Sequence, residues 1–568
     1  MLKALPPTMS AIAVIERLFD AAARSHARAV AFLAILMLAC GLSGFFTLQP
    51  IDRDETRFSQ ATTQMVETGN FIDIQFHDGP RYQKPIGIYW LQVAAIKLTG
   101  SEVPAPIWVH RLPSLLGAVG LVLGTYWAAL AFGNRRMALL AGAIMAALIL
   151  TSAETRLAKT DAVLNMAIVF AMGALARLHL RQTAPLPDGV RSPGRSLPYI
   201  FWGASAVGIL VKGPILPMVV IVTMIAVSVC RRSAGWLKPL LSPIPFLLAL
   251  ALTLPWYVAI GIISDGLFFN LALGQDALGK ITERREAHGA PPGVYLIAFW
   301  VTFWPAAAFF ATAVPWVWRE RKTPKLLFLL CWIIPTWIIF ELIVTKLPHY
   351  VLPTYPAFAI ITAMALTGGF AVLGRRWSRW LTVIAVAALI YGPPIALVFY
   401  GFFERSIPWF GLVLWLLLVP LGVAAVRAAR NDRPLAALMT VIVAAPLFYL
   451  TIYDGALAHI QTFKVSPNLK AAIDTEVACA NPAVMTTRYR EPSLVFLVGT
   501  DIRFGDAAAA VGFLQEPGCR VALIDQRTAE EFTTLLQEAE RGATLRTTVT
   551  GINIGNSRPV AVGVYEAD

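Results

Sequence analysis

Apolar runs of about 20 residues recur from Ala29 to Tyr453, separated by short loops dense in arginine and lysine. A helix of about 20 residues covers roughly 30 Å, the thickness of a bilayer's hydrocarbon core. The pattern therefore predicts a polytopic α-helical membrane protein. Composition agrees: 57% of the 568 residues are hydrophobic and 14% are charged, against about 25% charged in soluble domains. The net charge of +13 does not point to nucleic acid. The basic residues form no single patch and sit in loops, as topology signals do.

Apolar length predicts about thirteen spans, centred near residues 38, 122, 146, 170, 204, 222, 251, 303, 335, 361, 391, 417 and 443. Arg17, Arg24 and Arg28 precede the first run, Ala29–Thr47. That run is too long for a cleaved signal, so an uncleaved span with a cytoplasmic N-terminus is expected. Alternate loops differ sharply in charge. One set carries Arg135 and Arg136, Arg181 to Arg195, Arg231 to Lys238, Arg319 to Lys325, Arg375 to Arg379, and Arg427 to Arg433. These belong in the cytoplasm by the positive-inside rule. The other set (50–106, 152–160, 212–214, 264–291, 345–349 and 403–407) then faces the periplasm. Loop 182–198, rich in Pro, Gly and Ser, reads as a connector.

An odd number of spans leaves the C-terminus outside. Residues 1–456 are expected to form the transmembrane domain, with the external first loop at 50–106, and residues 457–568 a small periplasmic α/β domain. Helix-like and strand-like segments alternate there: Asn468–Val477, Ala483–Thr487, Leu494–Val498, Arg520–Ile524, Ala529–Ala539 and Val560–Tyr565. Cys479 and Cys519 would meet an oxidising compartment, either as a disulfide or as two separate buried thiols. Cys40, Cys230 and Cys331 lie in apolar runs and read as core residues.

The polar residues that stand out are on the external side. Asp54 can cap a helix running to Thr68, with Gly69 just past its end. Phe58, Ala61 and Met65 fall on one face, as in an amphipathic helix lying on the membrane. Asp54 is then either a plain cap, with Glu55 serving the helix dipole, or a carboxylate held at the mouth of the bundle. Three lysines stand one or two residues before a proline that suits a helix start: Lys84-Pro85, Lys212-Gly213-Pro214 and Lys346-Leu347-Pro348. Each alone can be a lysine snorkelling at the interface. Three on the side that topology depletes of lysine point to anion binding beside free helix N–H groups. Loop 152–160 adds Glu154, Arg156 and Lys159, and Asp161 opens the next span. Loop 264–291 adds Asp276, Arg285 and His288, among others. Together these suit an anionic lipid head group and an acid–base step.

The run Asp54-Glu55-x-Arg57, then Arg81-Tyr82-x-Lys84-Pro85, resembles the first external loop of the lipid A aminoarabinose transferase family, within the GT-C class to which protein O-mannosyltransferases are related. Lys346-Leu347-Pro348-His349-Tyr350 resembles a second signature. The resemblance implies a GT-C fold and an inverting glycosyltransferase of the inner membrane, using a polyprenyl-phosphate sugar as donor. It implies Asp54 and Asp161 as catalytic carboxylates. Lys84, Lys212, Lys346 and Tyr350 would hold the carrier phosphate. Glu55, Arg57, Tyr82, Arg156, His288 and His349 would shape the sugar and acceptor site. The acceptor would be lipid A, another envelope glycan or a protein hydroxyl. Where the family often has Glu before the Lys-Pro pair, this chain has Gln83. A neutral amide is a poorer ligand for a divalent metal than a carboxylate, so no metal site is assigned with His288 and no cofactor is required. No nucleic-acid partner and no second copy of the chain are expected.

A transporter or flippase is the main rival, and a scaffold protein the third reading. Transporters carry ionisable groups or broken helices near mid-membrane and often show paired repeats. Here the charges collect at one face and no halves match.

Overall fold

The computed structural model describes residues 11–50, 53–182, 195–272, 274, 289–370, 375–539 and 542–568. Among the described residues, eight helices are individually long and apolar enough to cross a membrane, including Ile107–Ala129, Asp161–Arg181, Pro324–Leu342 and Pro348–Thr367. Two further spans are bent pairs, and three apolar helices of 17 residues complete the bundle: His26–Leu42, Ser196–Lys212 and Ile215–Arg231. Every span centre read from the sequence falls in one of these helices, or, for 303, between the halves of a bent pair. The chain is a multi-pass membrane protein.

The two bent spans answer each other. Arg135–Ala147 turns by 60° into Ile149–Thr155, and Val294–Thr302 turns by 120° into Ala307–Glu320. The second is not the single straight span expected, because Pro305 at its break has no N–H to continue the ladder. Backbone groups freed inside a membrane need new partners. The Ile149 N–H donates to the Trp304 carbonyl at 3.2 Å, and Tyr449 Oη donates to the Ala147 carbonyl at 2.7 Å. The first break turns the helix that carries Glu154 inward.

The two sets of loops remain at opposite ends of the bundle. At one end Arg136 pairs with Asp20, Arg379 with Asp432 and Arg433 with Glu16. At the other, Asp454 accepts from Gly44 N and Thr47 Oγ1, and Glu404 accepts from Gln461 N and Thr462 N. Large apolar side chains are exposed mainly on the outer helices, such as Pro243–Ile263, Arg376–Glu404 and Trp409–Arg430. Asp161–Arg181 and Pro348–Thr367 lie at the centre.

The C-terminal segment forms a five-stranded sheet in the order Arg503–Phe504, Ala483–Thr486, Arg520–Asp525, Arg558–Ala567, Ala543–Asn553. The first three strands run parallel and the last two pairings are antiparallel. The helix Val465–Glu476 precedes the sheet, and Pro492–Val498 follows its first strand. The long strand Ala543–Asn553 escapes a hydropathy reading. It is an edge strand of mostly Thr and other β-branched residues with little apolar contrast. Cys479 and Cys519 are joined, with Cα atoms 5.9 Å apart, so of the two readings the disulfide is the one that forms. Peptide mapping without reductant is expected to recover them as one linked pair, and two separately alkylated peptides would contradict it.

The helix Arg53–Thr68 does not lie free on a membrane surface. Phe58, Ala61 and Met65 are buried as the periodicity requires, but so are Ser59, Gln60, Thr62 and Thr63. One side packs on the helix Gly87–Thr99 through Thr62 Oγ1 to Gln92 Oε1 at 2.6 Å and the Phe58–Tyr89 rings. The C-terminal segment covers another side, where Gln60 Nε2 donates to Thr500 Oγ1 at 2.7 Å.

Candidate functional site

Asp54 is the second residue of its helix, not the cap, so its carboxylate lies in the first turn, at the positive end of the helix dipole. About half of its side chain is open (54%), with Arg57 Nη1 3.6 Å away. Partial desolvation by the surrounding protein pushes the Asp54 carboxyl up. The cations of Arg81, Lys159, Arg57 and Lys84 more than offset this and hold it below the ordinary aspartate value. Asp54 is therefore an ionised carboxylate in a cationic ring.

A second cluster forms where three chain segments meet. Asp161 opens the helix Asp161–Arg181, and its Oδ1 receives Lys212 Nζ at 2.6 Å from the end of Ser196–Lys212. His349 stands between two carboxylates, with Nε2 3.8 Å from Asp161 Oδ1 and Nδ1 3.6 Å from Glu154 Oε1. Lys159 Nζ is 3.3 Å from the same Glu154 oxygen. The ring of Tyr350 lies 5.9 Å from Lys212 Nζ. Glu154 Oε2 and Asn165 Oδ1 are buried with no hydrogen-bond partner among the described residues.

This cluster closes one end of a cavity of about 710 Å³. Lys84, Asp161, Lys212, His349 and Tyr350 line its polar end; Leu164, Ile215, Met218 and Phe340 represent its largely apolar remainder. A site that is apolar along its length and cationic at one end matches an amphiphile with an anionic head.

The structure divides the other residues singled out in the sequence. Arg57 stays beside Asp54. Glu55 is held in an internal ion pair. It is fully buried and bidentate with buried Arg111 at 2.7 and 3.0 Å, and its Oε1 also accepts from Ala158 N. The pair ties the first loop to the helix Ile107–Ala129, since neither ion can remain buried without the other. Glu55→Ala is accordingly expected to lower stability by about 3–5 kcal/mol. A reduced fraction of monodisperse protein after heating in detergent would show it, whereas an effect on KM alone would contradict this role.

Tyr82 donates to Asp73 Oδ1 at 2.5 Å. Arg156 is buried and donates to the carbonyls of Cys40, Ser43 and Ser152, with Tyr453 stacked on it. Its donors quiet the carbonyl end of the first span. Lys346 donates to the carbonyls of Glu341 (2.7 Å) and Ile343 at the end of Pro324–Leu342. It stands off the cavity lining and caps a helix C-terminus, where a cation is favourable. The helix after Pro85 begins at Gly87, so Lys84 precedes it by three residues. His288 lies outside the described residues.

Glu154 and Lys159, which the sequence groups with the other external charges without an individual role, pair with each other inside this cluster. Their signal was a carboxylate and a lysine five residues apart, just before Asp161 and between apolar runs. Arg81 was also passed over. It is buried, contacts Phe58 and Tyr89, and donates to Gln83 Oε1 at 2.9 Å. The Gln83 amide oxygen is thereby engaged. For a metal, Glu154, Asp161 and His349 each offer a ligand atom within 4.8 Å of the others. The ammonium groups of Lys159 and Lys212 already neutralise those carboxylates, so a divalent ion would have to displace them.

No protein-family model matches the chain. Over 378 residues it is 25% identical to the undecaprenyl phosphate-α-4-amino-4-deoxy-L-arabinose arabinosyl transferase of Pectobacterium atrosepticum, covering 64% of this chain and 65% of the relative. It is 24% identical to the protein of the same name from Yersinia pestis, over 72% of each chain. The chain thus spans about 65% of the length of the first of these relatives. The crystal structure of ArnT from Cupriavidus metallidurans bound to undecaprenyl phosphate superposes with a TM-score of 0.73, at 18% identity, over 95% of this chain and 98% of that one. The resemblance read from two loop motifs thus extends to the whole fold: the chain is a polytopic membrane protein with the fold of ArnT from Cupriavidus metallidurans.

Proposed function

We propose that the protein is an inverting glycosyltransferase of the inner membrane. It takes a sugar from a polyprenyl-phosphate carrier, undecaprenyl phosphate by analogy with its relatives, and transfers it on the periplasmic face to lipid A or another envelope glycan. The observation that carries this reading is the cavity, whose apolar length ends at Lys84, Lys212 and Tyr350. Those groups would hold the carrier phosphate and stabilise its charge as the anomeric C–O bond breaks. Asp54, ionised in its ring of cations, would orient the acceptor or take its proton as the new bond forms on the opposite face of the sugar. Asp161 would set Lys212 toward the phosphate, and Arg57 and His349 would border the sugar. Lysine ammonium groups suffice to counter the carrier phosphate, so the scheme routes no step through a metal.

The reading is tested by mass spectrometry of envelope lipids and glycans from a deletion strain, complemented with the wild-type chain or the Asp54→Asn variant. A glycan-bearing species should disappear on deletion and return only with the wild-type chain. No mass difference in any envelope lipid, glycan or protein, together with no binding of undecaprenyl phosphate to the purified protein, overturns it. A cysteine placed at position 84 should react with an impermeant maleimide only from outside; labelling from the cytoplasm would reverse the topology.

A further inference from the structure

Asp54 lies between two gripped residues: Glu55 is held by Arg111, and Arg53 is held from the far end of the chain. Arg53 donates from Nε and Nη2 to both oxygens of Glu491, at 3.0 and 2.8 Å. Glu491 is buried, and its Oε1 also accepts from Asn553 Nδ2 at 2.8 Å. Gly555 lies beside the guanidinium, which occupies the space a Cβ there would take. Three separate pieces of the C-terminal segment thus meet at the Arg53–Glu491 pair: the start of the helix Pro492–Val498, the end of the strand Ala543–Asn553, and the turn after it.

A helix's first turn has no internal acceptors for its N–H groups and frays unless something outside fixes it. Asp54 sits in that turn. A bidentate guanidinium–carboxylate pair sets both distance and plane, which a single hydrogen bond does not. The far end of the same helix is tied differently, by Gln60 and Glu67 to the single hydroxyl of Thr500 at 2.7 and 2.9 Å. A misplacement of about 1 Å at a reacting group can cost about a hundredfold in rate, so the grip at the Asp54 end is the one that chemistry would feel.

Building on the transferase reading above, we propose that Glu491 is a positioning residue for Asp54. Through Arg53 it makes the C-terminal segment part of the active site's scaffold. The full-length protein is compared as wild type, Glu491→Gln, Thr500→Val and the exchange Arg53→Glu/Glu491→Arg. Hydrogen exchange is followed over residues 53–59, and sugar transfer is measured in membrane vesicles. In Glu491→Gln, exchange in that stretch should rise about tenfold. Turnover should fall about tenfold, with the carrier KM within about twofold of wild type. Thr500→Val should leave both near wild type, and the charge exchange should recover part of each. Wild-type exchange in Glu491→Gln overturns the proposal, as does faster exchange with unchanged turnover, or an equal loss in Thr500→Val. Vesicles in which the wild-type chain transfers no sugar would sink the transferase reading instead, leaving the exchange measurement to decide whether Glu491 fixes this turn.

Discussion

Asp54→Asn is expected to lower sugar transfer by about a hundredfold or more, the contribution of a positioned acid–base group, with the protein still inserted and folded. The side chain is half open, and its nearest cation, Arg57, is 3.6 Å away, so the isosteric change removes little packing. It does remove the anion on which Arg81, Lys159, Arg57 and Lys84 act together. Binding of an anionic carrier should therefore hold or tighten while turnover collapses, a split that a folding defect would not produce. The pH dependence follows from the same ring. Cations hold the Asp54 carboxyl below the ordinary aspartate value, so the ionised form persists as pH falls through the usual carboxylate range. An acid limb due to Asp54 should then lie below about pH 4. Stability linked to this group runs the same way: a lowered folded value contributes above the unfolded value and is lost as pH falls through the folded one. Rate measurements from pH 8 down to the limit of protein stability check this. Wild-type turnover in the Asn variant would remove Asp54 from the reaction.

The span pattern was readable because lipid enforces it: a backbone that cannot reach water must be helical, and apolar length counts the helices. Loop charge then sorted the two ends, and the contacts of Asp454 and Glu404 at one end and of Asp20 and Asp432 at the other keep that partition. What the sequence hid is where each charged side chain points. Glu55 is adjacent to Asp54 in the chain, yet one turns outward and the other into Arg111, because successive residues on a helix are about 100° apart. Lys84, Lys212 and Lys346 share one local signature, but only the first two line the cavity. Lys346 instead reaches back to the carbonyls that end the preceding helix, a partner that no motif encodes. Glu154 was legible as an external charge but not as a neighbour of His349. Its importance comes from the 60° bend after Ala147, which no proline announces in the sequence.

The largest effect on carrier binding is expected at Lys212. Its ammonium sits 2.6 Å from Asp161, and both side chains are nearly sealed from solvent. Lys212→Ala should do two things at once: strip the cavity of a phosphate-binding cation, and strand Asp161 as a buried anion at a cost of about 3–5 kcal/mol. The two are separated by the double replacement Lys212→Met/Asp161→Asn. This variant leaves no unpaired charge, so it should regain most of the lost thermal stability in detergent. Undecaprenyl phosphate affinity should stay at least about tenfold below wild type, because losing one charge-assisted hydrogen bond to phosphate costs about 1.5–3 kcal/mol. Asp161→Asn alone is the informative third corner. It frees Lys212 from its carboxylate, so carrier affinity should hold or rise while transfer falls through lost orientation. Recovery of both stability and carrier affinity in the double variant would show that Lys212 serves only to neutralise Asp161, and would leave Lys84 as the remaining lysine on the cavity wall to hold the carrier's phosphate.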